Sequence, residues 1–239
     1  MKSAKIGHIK PLDYAGTEAL NTICSNLSFA GRNVKKIIMT SCDAGEGKSS
    51  MSFWVAQNLA KRGKRIVIVD ADLRRSFLVK RYGIETEGEW TGLAHYLVGY
   101  SDLNNVVYQT NVQNLYFLPI GRHIANPIPL LNAPEFPQML DTLAEHFDLV
   151  LVDAPPVGLV IDAAEIAQHC DGCIFVVEYQ KTRRRELLAA RNQIQQTGCA
   201  ILGCVLNKVT FDTISSKKYY HQNYYSQYTD QSYSKAEND

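Results

Sequence analysis

The stretch Lys36-Ile37-Ile38-Met39-Thr40-Ser41-Cys42-Asp43-Ala44-Gly45-Glu46-Gly47-Lys48-Ser49-Ser50-Met51 decides how this chain is read. Its first six residues are an apolar run of strand length. Its far end opens a helix from about Lys48 to Arg62, with Met51, Val55 and Leu59 at i, i+4 and i+8, cations in the last turn and Gly63 beyond them. Between strand and helix sits Gly45-Glu46-Gly47-Lys48-Ser49. A phosphate chain needs backbone N–H groups at close range, the positive end of a helix, a cation and a metal ligand; glycines, a helix start, Lys48 and Ser49 supply all four. The full Walker A spacing would put Gly or Ala at position 42, where this chain has Cys42. The competing reading is a Gly-rich helix entry with an exposed lysine.

Outward from that unit, apolar runs alternate with segments of helical period, the pattern of a parallel sheet with helices on both faces. Strands are expected over Lys36–Ser41, Arg65–Asp70, Leu115–Pro119, Leu149–Asp153, Gly172–Glu178 and Ala200–Asn207. Further helices are expected over Gly16–Phe29 and from an N-cap at Thr182 to Gly198. From about Trp90 to Leu131 the pattern weakens, and a long, partly helical excursion near the active face is expected. The fold class is α/β and P-loop NTPase-like. Residues 1–34 read as an N-terminal segment and helix, 35–208 as the core and 209–239 as a tail.

Two more strand ends carry acids. Ile66-Val67-Ile68-Val69-Asp70-Ala71-Asp72 puts Asp70 and Asp72 on one side at the carboxyl end, where open α/β sheets place their ligands. Near a metal and a phosphate, two carboxylates can divide labour between metal shell and proton acceptance. The bland alternative is a helix cap plus a surface pair. Leu149-Val150-Leu151-Val152-Asp153 followed by Ala154-Pro155-Pro156 has the Walker B pattern. Three such strand ends in this order imply a nucleoside triphosphate site using ATP and Mg²⁺.

With 239 residues and 46% hydrophobic composition, one sizeable core is affordable. A net charge of +1 gives no bulk attraction for a polyanion, so no nucleic-acid partner is expected. No apolar run approaches the roughly 20 residues of a membrane span, and Met1 to Tyr14 lacks a signal-peptide core, so a cytoplasmic protein is expected. The six cysteines sit mostly in apolar segments and read as reduced; Cys170-x-x-Cys173 reads as core packing. Cys42 abuts the phosphate loop, where a helix N-terminus and a lysine would lower a thiol pKa and open redox control, against the plainer reading of a small buried filler. The run Arg183-Arg184-Arg185 reads as a solvated helix face by default.

The motifs Gly45–Ser49, Asp70-x-Asp72-x-Arg74, Asp153-x-Pro155-Pro156 and Asn126-Pro127, with a terminal tyrosine cluster, resemble those of the bacterial tyrosine kinases of capsule and exopolysaccharide loci, in the form whose cytoplasmic kinase is separate from its membrane adaptor. The resemblance covers nearly the whole chain. It implies γ-phosphoryl transfer from ATP to tyrosines in a neighbouring subunit's tail, control of polysaccharide synthesis, recruitment to the membrane through an adaptor, and a cognate tyrosine phosphatase. It implies that the loop Gly45, Glu46, Gly47, Lys48, Ser49 and Ser50 holds the nucleotide and that Asn207 reaches the adenine. It gives Asp70 the role of base, Lys48 and Asp72 catalytic roles, and Ser49, Asp72 and Asp153 the metal. At the family's Glu-x-x-Arg-x-x-Arg oligomerisation positions this chain has Glu18, Asn21 and Cys24.

The tail itself points the same way. Tyr219, Tyr220, Tyr224, Tyr225, Tyr228 and Tyr233 are six of the 13 tyrosines. They lie in a polar segment too poor in aliphatics to order itself, and tethering gives such a segment a high effective concentration at a site. Two other functions stay open at this point. One is a nucleotide-binding regulatory subunit of a polysaccharide export assembly; the other is a switch ATPase of the division-site type, although Asp43 stands where those carry a signature lysine.

Overall fold

The computed structural model describes residues 2–31 and 33–209. The six tail tyrosines expected to accept phosphate lie outside the described residues. The described residues up to Asn207 form one compact unit.

In chain order the elements are β1 (Lys2–Ile6), α1 (Tyr14–Phe29), β2 (Lys36–Ser41), α2 (Lys48–Lys61), β3 (Ile66–Asp70), α3 (Leu78–Tyr82) and β4 (Ile84–Thr86). There follow α4 (Leu93–Leu97), α5 (Leu103–Val106), β5 (Tyr108–Thr110), β6 (Leu115–Leu118), α6 (Ile128–Leu131) and α7 (Glu135–His146). The unit closes with β7 (Leu149–Asp153), α8 (Asp162–Ala167), β8 (Gly172–Glu178), α9 (Arg184–Gln195) and β9 (Ala200–Asn207).

Among the described residues, nine strands join one sheet in the order β4-β1-β5-β6-β3-β7-β2-β8-β9. From β6 to β9 the neighbours run parallel, while β1 with β4 and β5 with β6 are antiparallel. Strand alternation sends Ile38, Val67, Val69, Val150 and Val152 into a core covered by α4, α7, α8 and α9. Ile37, Met39, Ile66, Ile68 and Leu151 enter the opposite core, covered by α1, α2 and α3. Burial on both faces is why these strands read as continuous apolar runs.

Several sequence expectations shift. Three further strands, β1, β4 and β5, extend the sheet beyond β6. The excursion from Trp90 to Leu131 is partly helical and holds the expected strand as β6, but it also threads β5 into the sheet. The cap of α9 is Arg183 rather than Thr182, because the Thr182 hydroxyl is engaged by Glu46 and by the Glu178 amide. On α1, Asn21 Oδ1 accepts from Arg62 Nη2 at 3.0 Å and Asn58 Nδ2 at 3.2 Å, and Cys24 is buried against α2. Those two positions therefore fasten α1 to α2 within the chain. Among the described residues, no helix is long and apolar enough to cross a membrane.

Candidate active site

β2, β3 and β7 lie side by side and in register, so their carboxyl ends open onto one edge of the sheet. Directly after β2, the loop reverses through Gly45 at φ 81° and Gly47 at φ 99°, conformations open to glycine and strained for other residues. At Gly47 the absence of a side chain is also a matter of space. A Cβ there would meet Asn207 Nδ2 at 2.1 Å.

The loop is held from below by Glu46, which is almost wholly buried. Its Oε2 accepts from the Cys42 and Asp43 amides at 2.7 and 2.8 Å, and its Oε1 accepts from the Thr182 hydroxyl. Asn207 Nδ2 donates to the Glu46 carbonyl at 2.9 Å. Of the residues expected to hold nucleotide, Glu46 thus commits its side chain to the loop backbone, and Asn207 meets that backbone from the end of β9. Ser50 is buried on the first turn of α2.

Lys48 leaves the start of α2 and stands among the strand-end acids. Its Nζ lies 3.3 Å from Asp72 Oδ2 and 3.7 Å from Asp153 Oδ2, and 3.2 Å from Ser49 Oγ. Burial works against the ammonium, but Asp153, Asp72 and Asp70 outweigh it and hold the Lys48 pKa above its ordinary value. Asp153 Oδ1 accepts from Ser52 Oγ at 3.0 Å, and burial pushes that carboxyl up despite Lys48. The structure therefore brings Lys48, Ser49, Asp72 and Asp153 together.

Asp70 is the most secluded of the three strand-end acids, with no exposed surface. Burial first, and then the neighbouring Asp153, push its carboxyl up to about 8, against the lowering effect of Ser76 and Lys48. Its Oδ2 accepts from the Ser76 hydroxyl, while Oδ1 is buried without a hydrogen-bond partner. An orphaned oxygen of this kind calls for a proton or a cation. The donor set of hydroxyl and carboxylate oxygens is the hard kind that suits Mg²⁺. Among the described residues no group of three or more His, Cys, Asp or Glu forms a ready metal cage. Mg²⁺ takes one or two protein oxygens and leaves other positions to phosphate and water.

The sequence left other parts of the site unread. Arg74 grips the fully buried Asp162 with two hydrogen bonds, Nε to Oδ2 at 2.7 Å and Nη2 to Oδ1 at 3.0 Å, and donates from Nη1 to the Ala125 carbonyl at 2.8 Å. The Leu73 carbonyl accepts from the Ile124 amide at 2.9 Å. Together these bonds tie the loop bearing Asp70 and Asp72 to the segment before α6 and to the start of α8. Cys42 is buried, and burial together with Glu46 pushes its thiol up to about 12, opposite to the lowering expected from its place beside the loop. Cys170 and Cys173 are buried free thiols in the core.

Comparison with known proteins places this geometry in context. Residues 34–197 match the AAA domain family. The chain is 37% identical over 202 residues to Tyrosine-protein kinase CpsD of Streptococcus pneumoniae serotype 4, an alignment covering 84% of this chain and 87% of the relative. It superposes on the kinase domain of the Escherichia coli tyrosine kinase ETK with a TM-score of 0.77 at 27% identity, covering 82% of this chain and 76% of that one. The chimerical protein CapA2B2 shares the fold at a TM-score of 0.76 and 24% identity, over 87% of this chain and 94% of the other.

Proposed function

Because the chain belongs to the bacterial tyrosine-kinase family of capsule and exopolysaccharide loci, we propose that it transfers the γ-phosphoryl group of ATP to tyrosine hydroxyls in the tail of a neighbouring copy and so controls polysaccharide synthesis. The observation that carries this reading is Asp70: a fully buried carboxyl with a pKa near 8 and one oxygen without a partner, beside Lys48 and Asp153. A base whose pKa lies near the operating pH is the one suited to taking a phenolic proton.

In this reading Asp70 accepts the proton as the phenolic oxygen bonds the γ-phosphorus. The bond from that phosphorus to the β–γ bridging oxygen breaks, and ADP leaves with the electron pair. Lys48 sets its ammonium against the phosphate charge, and the loop amides from Gly45 to Ser50 cradle the β- and γ-phosphates. Ser49, Asp72 and Asp153 would hold Mg²⁺, which when bound neutralises charge on the phosphates. Buried Ser52 and half-buried Ser76 fix Asp153 and Asp70 in orientation. Residues 35–208 form the kinase core, with 209–239 the acceptor tail. The chain acts in the cytoplasm and is drawn to the membrane by an adaptor, with a phosphatase reversing the modification.

The test is to incubate the full chain with ATP and Mg²⁺, with and without the cytosolic segment of a cognate adaptor, and to map phosphotyrosine by mass spectrometry. Phosphate on the cluster from Tyr219 to Tyr233 is expected, and Lys48→Met removes it. Rapid release of free phosphate with an unmodified tail, or nucleotide binding with no transfer under any condition, overturns the proposal.

A further inference from the structure

The loop that carries the acids reads Asp70-Ala71-Asp72-Leu73-Arg74-Arg75-Ser76-Phe77, and it ends in an aromatic ring left in solvent. Phe77 is 53% exposed although Leu73 and Leu78 on either side of it are buried. Its backbone is fixed, since the Phe77 carbonyl accepts from the Arg81 amide at 2.8 Å. Its position relative to the chemistry is fixed too. The preceding residue, Ser76, donates directly to Asp70, and its hydroxyl also meets the Leu78 amide at 3.4 Å. The Arg75 guanidinium carbon lies 5.3 Å from the centre of the ring, so the ring is held by a cation instead of being packed into a core. Arg75 is exposed and makes no ion pair among the described residues, and its amide is bound to Asp72 Oδ1 at 3.1 Å.

About half of the Phe77 side chain is open to solvent next to Ser76, the residue bonded to the base, so a second ring has a face to meet there. We propose that Phe77, braced by Arg75, is the platform on which the acceptor tyrosine of a second copy lays its ring, delivering the phenolic hydroxyl toward Asp70. The inference rests on the tyrosine-kinase reading above and names the group that recognises the acceptor. What separates tyrosine from serine or threonine is an aromatic ring, and a site that takes tyrosine gains selectivity by meeting that ring with another. In the loop from Asp70 to Phe77, Phe77 is the one aromatic residue. A stacking contact made by ring and cation is indifferent to neighbouring sequence, which fits an acceptor segment with tyrosines at six closely spaced positions.

The experiment uses the full chain as enzyme and an isotopically heavy full-length Lys48→Met chain as acceptor, so that mass separates acceptor phosphotyrosine from the enzyme's own. Phe77→Ala is expected to raise the acceptor KM about 2- to 10-fold, the range of an aromatic pair, with kcat and nucleotide affinity unchanged. Phe77→Leu, which keeps apolar bulk but loses the ring, behaves like Phe77→Ala. Phe77→Trp restores the wild-type KM. If Phe77→Leu matches the wild type, or if the loss in Phe77→Ala resides in nucleotide affinity or kcat alone, the platform is wrong while the kinase reading stands. If the wild type labels no acceptor tyrosine, the kinase reading fails and the platform fails with it.

Discussion

Asp70 and Asp153 are register partners on adjacent parallel strands, each the last residue of its own strand and each buried. Two carboxylates set side by side in a low-dielectric site oppose one another's ionisation. The fold imposes this through the pairing of β3 with β7, so sheet register adds to the proton affinity that burial first gives Asp70.

Stability should therefore depend on pH through Asp70. Its pKa rises from an ordinary 3.8 to about 8 in the folded protein. Between those values the folded chain keeps a proton that the unfolded chain has released. The stabilisation is thus complete below the lower value and is lost as pH rises through the upper one. Asp70→Asn removes this dependence. Thermal midpoints of the nucleotide-free proteins, followed from about pH 5 to 9, should show the wild type falling relative to Asp70→Asn as pH rises. Parallel curves would count against the assignment.

Lys48 has a structural role that a loss of phosphate binding alone does not reveal. Its ammonium is the cation nearest Asp72 and Asp153 among the ion pairs of the described site. Lys48→Met leaves those buried acids uncompensated, and a loss of about 3 kcal/mol in denaturant unfolding is expected, at the low end for a broken buried pair. Lys48→Arg keeps the charge and most of the stability, but phosphotyrosine formation is still lost because a planar fork cannot replace a point charge at the phosphates.

How much of this was legible depended on burial. β2, β7 and β8 match the sequence reading at both ends, since runs such as Ile37-Ile38-Met39 face a core on each side; β9 matches as well, although it is a partly exposed edge strand. β3 and β6 differ only by a terminal residue. By contrast, β4 and β5 are three residues each, and β1 alternates Lys and Ser with Ala4 and Ile6. Their strand character comes from pairing with one another and with β6, which no local pattern announces. The same division runs through the site. Lys48, Asp70, Asp72 and Asp153 were visible because each ends or follows a recognisable strand. The bonds from Thr182 to Glu46 and from Arg74 to Asp162 join residues 136 and 88 positions apart, and nothing near either partner signals them.

The Arg74–Asp162 pair should behave as a strut between loops. Asp162 is buried while the Arg74 side chain is about one-third exposed. Removing the arginine strands a buried carboxylate, so Arg74→Ala should cost about 3 kcal/mol in chemical unfolding, and Arg74→Ala with Asp162→Ala together should cost less than the sum of the singles. Additive losses in such a cycle would show that the two residues act independently.

Cys42 should be inert to mild oxidants. Its thiol is buried and pushed up to about 12, leaving almost no thiolate at neutral pH. Peroxide treatment followed by nucleotide titration should give the same affinity change, or none, in the wild type and in Cys42→Ser. A loss confined to the wild type would restore redox control.

The last prediction concerns the contact between Gly47 and Asn207. Gly47→Ala meets two separate obstacles: a φ of 99° and a Cβ placed 2.1 Å from Asn207 Nδ2. The single substitution should weaken nucleotide binding by more than the backbone strain alone, because the Asn207 amide must swing off the Glu46 carbonyl to make room. Adding Asn207→Ala removes the collision but leaves the backbone strain of about 1–2 kcal/mol and frees the Glu46 carbonyl from its donor. Nucleotide affinity in the double variant should therefore return only in part, to about 10-fold or more below wild type by calorimetry. Full recovery would mean that the clash is the whole obstacle and that the left-handed turn is incidental. No recovery at all would mean that backbone conformation alone excludes a side chain at this position.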